Sequence, residues 1–151
     1  MTAREYFEGV RGAVSARERC IARISALRAA EGIRSSGMTG MPHGTGVSDP
    51  MRATDARMDA ERAAIDELRS LDEEIARGYE VCRGVRAAHP SLRWGDALEA
   101  RYCMDAKWDM VARMLGVTRQ QAQRDVYAAL DWVDMVGVAA ARQGCGQAAL
   151  F

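Results

Sequence analysis

The stretch Trp108–Val133, WDMVARMLGVTRQQAQRDVYAALDWV, decides how the last part of this chain folds. It predicts a helix over Trp108–Leu115, a break at Gly116 and a second helix that Thr118 opens. Glycine adopts the positive φ of a tight turn at low cost, and a threonine hydroxyl at the N-cap accepts a backbone amide of the next turn. Two helices joined by a short glycine turn are a candidate helix-turn-helix.

The second of these helices has one apolar and one polar face. At about 100° per residue, the residues that share the apolar face, with the last near its edge, are Ala122, Val126, Ala129, Val133 and Leu130. Gln120 and Arg124 point away from that face, and Arg119 begins the helix. Gln121 and Tyr127 lie on its flanks. The three tryptophans are predicted to pack in the core and at its edge, at Trp94, Trp108 and Trp132.

This stretch resembles the helix-turn-helix in region 4 of bacterial primary sigma factors. The match has no gaps, and its residues are Val111, Leu115, Gly116, Val117, Thr118, Arg119, Ala129 and Leu130. The resemblance implies that the second helix reads DNA, with base and phosphate contacts at Arg119, Gln120, Gln121 and Arg124. Arginine suits guanine edges and phosphates, and glutamine can bond adenine through two hydrogen bonds. The predicted DNA-binding residues are Thr118, Arg119, Gln120, Gln121, Gln123, Arg124 and Tyr127.

The chain as a whole resembles phage-encoded sigma-like proteins, among them an uncharacterised phage family and the ArpU-type late-gene transcription regulators. The segments that carry this resemblance are MTAREYFEGVR at 1–11, MPHGTG at 41–46 and LEARYCMDAKWDMVARMLG at 98–116. Related sequences tend to have Ser or Thr just before the tryptophan, where it caps the helix. Lys107 holds that position here, so either Asp105 caps the helix or the helix starts weakly.

Two long helices are predicted ahead of this element. The first covers residues 2–31, opens with a capping box of Thr2 and Glu5, and stops at Gly32. Its predicted apolar stripe is Phe7, Val10, Val14, Ile21, Ile24 and Leu27, interrupted by Arg17. The second runs from Pro50 or Met51 to Val85, with Asp49 as N-cap. Its predicted stripe is Met51, Met58, Ile65, Leu68, Ile75, Tyr79 and Cys82.

The predicted fold is therefore all-α: a long, coiled-coil-like antiparallel helical hairpin, followed by a C-terminal helix-turn-helix of the sigma region 4 type. The hairpin covers 1–89 and contains a flexible loop at 32–50, which is rich in Gly and Ser. The helix-turn-helix domain covers 90–137, and a weakly patterned tail covers 138–151.

Composition excludes several classes of function. Lys and Arg number 21, as do Asp and Glu, which disfavours strong non-specific binding to polyanions. The cysteines are scattered, at Cys20, Cys82, Cys103 and Cys145, and lie far from His43 and His89. We therefore expect reduced thiols, no metal site and no disulfide framework. There is no nucleophile–base pair or phosphate loop, so we predict no enzyme activity and no cofactor, and we expect a protein of the bacterial cytoplasm with no membrane segment.

These patterns predict a sequence-specific, DNA-binding transcription regulator of phage or prophage origin that places its recognition helix in a major groove of double-stranded DNA. RNA polymerase and a second copy of the chain, bound through the hairpin, are the other candidate partners; no small-molecule substrate is expected. Two alternatives stay open: a DNA-packaging adaptor like a small terminase subunit, and a module that binds polymerase without binding DNA. Arg119–Arg124 could also be a merely solvated face, an interpretation that Asp125, Asp131 and the zero net charge favour.

Overall fold

The computed structural model describes residues 1–36 and 50–144, and in these ranges every regular element is helical. The helices are α1 (Ala3–Ser36), α2 (Pro50–Ala88), α3 (Trp94–Leu98), α4 (Trp108–Leu115), α5 (Arg119–Val136) and α6 (Val138–Arg142). A π-helical turn, Glu99–Cys103, directly follows α3. No helix in the described ranges is both long and apolar enough to cross a membrane. The all-α prediction is thus confirmed for the described part of the chain.

The start of α1 has the predicted capping box. The Glu5 N–H donates to Thr2 Oγ1 at 3.1 Å, and the Thr2 N–H donates to Glu5 Oε2 at 2.9 Å. The predicted end is wrong, because α1 continues through Gly32 to Ser36. One glycine inside a helix costs only ~1 kcal/mol relative to alanine, which does not suffice to end a long helix. Residues 32–36 therefore belong to a helix instead of the predicted loop.

The helix α2 begins at Pro50, as predicted, and ends at Ala88, three residues beyond the predicted Val85. The predicted N-cap Asp49, His43 and most of the predicted loop lie outside the described residues.

The chain divides into two compact units, and the first combines residues 1–15 with the described residues from 72 onward. Its core joins the first turns of α1, the last turns of α2, the α3 segment with its π-helical turn, and α5. The largest fully buried side chains of this core are Phe7, Val10, Val81, Val85, Leu98, Tyr102, Val126 and Val133. The rings of Phe7 and Tyr102 lie 5.4 Å apart, so α1 contacts the π-helical turn through aromatic packing.

The tryptophans pack as predicted. Trp132 is buried in the core, and Trp94 and Trp108 pack against its edge. His89 lies between two of them, 4.7 Å from each of the Trp94 and Trp132 ring centroids. This aromatic contact joins the end of α2 to α3 and α5.

Close approach of α6 to α2 depends on Gly84. A Cβ at this position would lie 1.8 Å from the Ala141 carbonyl oxygen, far inside any real contact. Ala141 is fully buried, and α6 thereby closes one end of the core. Residues 138–142 of the predicted tail thus form a helix that belongs to the first unit.

The second unit, residues 16–71, has a small core of its own. Its buried members are Cys20, Ile24 and Ala64, and the Cys20 thiol donates to the Ala64 carbonyl at 3.0 Å. Ion pairs join Arg23 to Glu67 at 2.9 Å and Arg28 to Glu61 at 2.7 Å, both with exposed arginines. The higher-numbered residue of α1 pairs with the lower-numbered residue of α2, so the two helices run antiparallel within this unit. These two units have other boundaries than the predicted segments 1–89, 90–137 and 138–151. The division into a hairpin, a DNA-binding domain and a tail stays a prediction.

The predicted apolar stripes are wrong at three positions. Ile21 is 38 % exposed, Met51 71 % and Met58 51 %. The buried positions are taken instead by small residues such as Cys20 and Ala64, which allow two helices to approach closely. The contact surface of these helices therefore combines these small residues with the buried members of the predicted stripes, such as Phe7, Val10 and Ile24.

The cysteines Cys82 and Cys103 meet in the core of the first unit. Their sulfur atoms lie 3.9 Å apart, and both thiols are buried and free. The hydrogen bond with Cys103 and burial both raise the pKa of Cys82, so its thiol stays protonated. These two cysteines lie 21 positions apart in the sequence, and the fold brings them together.

Gly84→Ala is expected to lower the free energy of unfolding by about 1–3 kcal/mol, because the added methyl group would displace α6. Urea denaturation of the full chain measures the change. Gly12→Ala is the matched control: nothing lies within 4 Å of a Cβ there, so alanine should stabilise α1 by about 0.5–1 kcal/mol. Equal effects of the two substitutions would contradict the close approach of α6.

Candidate nucleic-acid interface

The turn between α4 and α5 has the predicted geometry. Gly116 has φ 67° and ψ 34°, the left-handed conformation that glycine accepts most easily. The Val117 N–H donates to the Ala112 carbonyl at 3.0 Å, which satisfies an otherwise unpaired carbonyl at the end of α4. Thr118 then caps α5, its hydroxyl accepting the Gln121 N–H at 3.2 Å. The direction in which α5 leaves the turn is therefore set by local hydrogen bonds.

A small apolar cluster holds α4 against α5. Val111 and Ala112 of α4 are buried with Ala122 of α5, and Leu115 and Val117 pack against them. The first turn of α5 thus has a fixed rotation relative to α4.

The start of α4 differs from the expected cap. Lys107 is the N-cap residue, in an extended conformation, and makes no side-chain cap hydrogen bond. Asp105, the alternative cap, forms instead an ion pair with Arg11 of α1, and this hydrogen bond raises the pKa of the arginine. The prediction that Asp105 caps α4 is wrong, because a carboxylate with a guanidinium partner is no longer directed at the helix amides.

The apolar face of α5 is the predicted one. Ala122, Val126, Ala129 and Val133 are all 0 % exposed, and Leu130, expected near the edge, is buried too. An apolar stripe of this width determines which residues point outward. Arg119, Gln120 and Arg124 are exposed, as the helical wheel predicts.

Six of the seven predicted site residues, all except Tyr127, fall into three groups by their contacts. Gln120 and Arg124 are exposed and have no side-chain partner among the described residues. Arg119 lies 3.7 Å from Asp109, with both side chains largely in solvent, where such pairs contribute little. Gln121 and Gln123 are half-buried, and Thr118 is exposed although its hydroxyl is used for capping.

Asp125 connects the start of α5 to the residue just before α3. It is only 8 % exposed, accepts the Arg93 Nε–H at 2.9 Å, and accepts the Gln121 side-chain amide at 3.0 Å. The Gln121 amide is therefore held in one orientation, with its carbonyl oxygen and one N–H left for other partners. Asp125 is thus a buried, paired carboxylate and not the repulsive surface charge that the sequence suggested.

Tyr127 lies in a row of two aromatic rings with a cation at each end. The Arg4 guanidinium of α1 lies 5.7 Å from the Tyr127 ring centroid, and Trp108 meets the same ring edge-on at 6.0 Å. The Arg101 guanidinium lies 4.3 Å from the Trp108 ring centroid. We call Arg101, Trp108, Tyr127 and Arg4 the cation–aromatic row. Burial and the nearby Arg11 lower the pKa of Arg101.

The second half of α5 is acidic. Asp134 accepts the Ala3 N–H at 2.6 Å, which joins the start of α1 to α5. Asp131 is exposed and lines, with Arg4 and Tyr127, a depression of about 430 Å³. Because carboxylates repel phosphates, Asp131 makes this part of α5 less favourable to a polyanion than the first half of the helix.

Asp125 was not among the predicted site residues, although the sequence contains a signal for it. On the same helical wheel, Asp125 lies about 60° from Ala122, at the border of the buried face, where a carboxylate needs a partner. Its partner Arg93, and also Arg4 and Arg101, carry no comparable signal, because only the folding of α1 and α3 brings them to α5 and α4. Among the described residues there is no group of His, Cys, Asp and Glu side chains that could hold a metal ion.

Asp125→Asn is expected to lower the free energy of unfolding by ~1 kcal/mol, since it removes the charge that Arg93 and the Gln121 amide both face. Asp131→Asn makes the same change on the exposed face of α5, where Asp131 has no side-chain partner among the described residues, and should leave stability nearly unchanged. Thermal and urea unfolding of both variants test this difference. A loss of the same size in Asp131→Asn would contradict the role of the Arg93–Asp125–Gln121 network.

Comparison with protein-family models finds no model that matches this chain, and searches of curated proteins and of solved structures find no significant match.

Proposed function

We propose that this protein is a sequence-specific, DNA-binding transcription regulator of phage or prophage origin. In this proposal α4, the Gly116 turn and α5 form a helix-turn-helix of the sigma region 4 type, and the first half of α5 enters the major groove. The observation that carries the proposal is the exposed polar edge at the start of α5. There Gln120 and Arg124 have no partner within the described chain, while the opposite face is fully buried.

The chemistry of this edge suits base recognition. An arginine fork donates two parallel hydrogen bonds to guanine O6 and N7, and a glutamine amide pairs with adenine N6 and N7. Gln121 keeps one amide N–H and its carbonyl oxygen available while Asp125 holds the other N–H. A side chain whose orientation is already set loses less conformational entropy on binding.

The zero net charge limits how such a protein can bind DNA. The sequence-independent part of affinity grows with the number of phosphates that basic side chains neutralise. With few unpaired cations at the interface, affinity has to come from a small number of well-placed contacts, or from a partner bound at the same time.

We assign the binding of such a partner to the two long helices. In the proposal α1 and α2 form an antiparallel hairpin that supplies a contact with a second copy of the chain or with RNA polymerase. The antiparallel ion pairs Arg23–Glu67 and Arg28–Glu61 support a hairpin within residues 16–71.

To test the function, the full chain is incubated with fragments of the genome that encodes it, at low salt and at physiological salt, and the fragments that it binds are sequenced. Enrichment of one sequence motif supports the proposal and identifies the target. Failure to bind any duplex at low salt would contradict it and favour a module that binds protein only. A ring-sized oligomer with sequence-independent binding would favour a packaging adaptor instead.

Arg124→Ala is expected to weaken binding to the selected site by ~1–3 kcal/mol, because an outward-facing arginine would lose its base or phosphate contact. Arg83→Ala removes the same charge from an exposed position of α2 and serves as the control. Fluorescence anisotropy measures both affinities, and thermal unfolding should show neither variant destabilised. Unchanged affinity of Arg124→Ala for the site would remove this residue from the interface.

A further inference from the structure

We propose that the cation–aromatic row is a second DNA contact, which binds the phosphate backbone beside the groove that α5 enters. This inference rests on the proposed function and extends it to Arg4, a residue of α1 outside the segment 90–137 expected to bind DNA. Its partner is defined by chemistry as the sugar–phosphate backbone of duplex DNA, contacted without regard to base sequence.

The arrangement of the row supports this role. Four residues from four separate parts of the chain follow one another in the order cation, ring, ring and cation, with spacings of 4.3, 6.0 and 5.7 Å. The Tyr127 ring is 43 % exposed and Arg4 is exposed. A guanidinium over a ring face keeps its N–H groups at the edge of the plane, where they can donate to two phosphate oxygens. The rings thus orient the cations without using their donors.

Neither cation of the row has a carboxylate partner in an ion pair within the described residues. Arg101 uses one N–H for the Ala106 carbonyl at 3.0 Å, and Arg4 has no side-chain hydrogen bond in that part of the chain. Two of the nearby carboxylates are already bound, Asp105 by Arg11 and Asp134 by the Ala3 N–H. The cations are therefore available to an external anion.

The position of the row relative to α5 fits the dimensions of DNA. Tyr127 follows Arg119 by eight positions, which at 1.5 Å per residue is a rise of ~12 Å along the helix. The major groove is about 12 Å wide, so if α5 lies across the groove with its first two turns inside, Tyr127 is level with the groove edge. Backbone phosphates line that edge.

Two exposed carboxylates oppose this contact: Glu8 of α1 near Arg101, and Asp131 near Arg4. Asp131 lines the same depression as Arg4 and Tyr127. If phosphate approaches this place, removal of the Asp131 charge should strengthen binding, whereas removal of the Arg4 charge should weaken it. The two substitutions should therefore change the affinity for DNA in opposite directions at one location, which a general effect on folding would not produce.

The experiment measures binding of the full chain to the selected duplex and to an unrelated duplex of equal length, by fluorescence anisotropy between ~50 and ~200 mM salt. Arg4→Ala is expected to weaken both complexes by the same factor and to reduce the slope of log K against log salt by ~0.9, the loss of one phosphate contact. Arg4→Lys should keep the slope, since it retains the charge. Asp131→Asn should tighten both complexes.

Arg83→Ala is the matched control, an exposed arginine of α2 that lies outside the row, and its slope should equal that of the unchanged protein. An unchanged slope in Arg4→Ala, or an equal loss in Arg4→Lys and Arg83→Ala, overturns the contact while leaving the proposed function intact. Weakening confined to the selected duplex would also overturn it, because phosphate contacts do not read sequence. If the unchanged protein binds neither duplex, the proposed function fails together with this inference.

Discussion

The apolar face of α5 is the constraint on which the first unit depends. Val126, Ala129 and Val133 lie in the core with α3 and the first turns of α1, and Ala122 lies in the smaller apolar cluster with α4. Rotating α5 by a single residue, about 100°, would take part of this stripe out of the core and bring polar side chains into it. Burying such groups without partners costs more than the local hydrogen bonds could restore. The outward orientation of Gln120 and Arg124 is thus a consequence of packing on the opposite side of the helix.

Contacts between α1 and α5 make the beginning of the chain part of the candidate interface. The Ala3 N–H binds Asp134, Arg4 lies over Tyr127, and Phe7 packs into the same core. In the proposed DNA-binding surface, the exposed edge of α5 is combined with a cation from a segment distant in the chain. The same contacts place the acidic end of α5 against the start of α1. There Asp134 accepts the Ala3 N–H instead of facing solvent without a partner.

Features that depend on neighbours in the chain were predictable. The Thr2–Glu5 capping box, the left-handed Gly116 and the Thr118 cap each need only three or four consecutive residues. The buried face of α5 was predictable as well, because its apolar residues repeat at helical spacing and no second stripe competes with them. The buried residues of the two long helices were less predictable, because Ile21 and Met58 fit an apolar stripe but lie at the surface. Several stripes are geometrically acceptable on a long helix, and the small residues of the facing helix select among them.

By itself, the amino-acid sequence determined the helical class, the turn and cap between α4 and α5, and the residues α5 turns outward, because these follow from short-range hydrogen bonds and from periodicity. Tertiary structure decided that Asp125 is a buried partner of Arg93 and Gln121, that Ala141 closes the core over Gly84, and that Arg4 reaches Tyr127. Each of these contacts joins residues far apart in the chain. Their pairing depends on how whole helices pack, and no local pattern of residues specifies that.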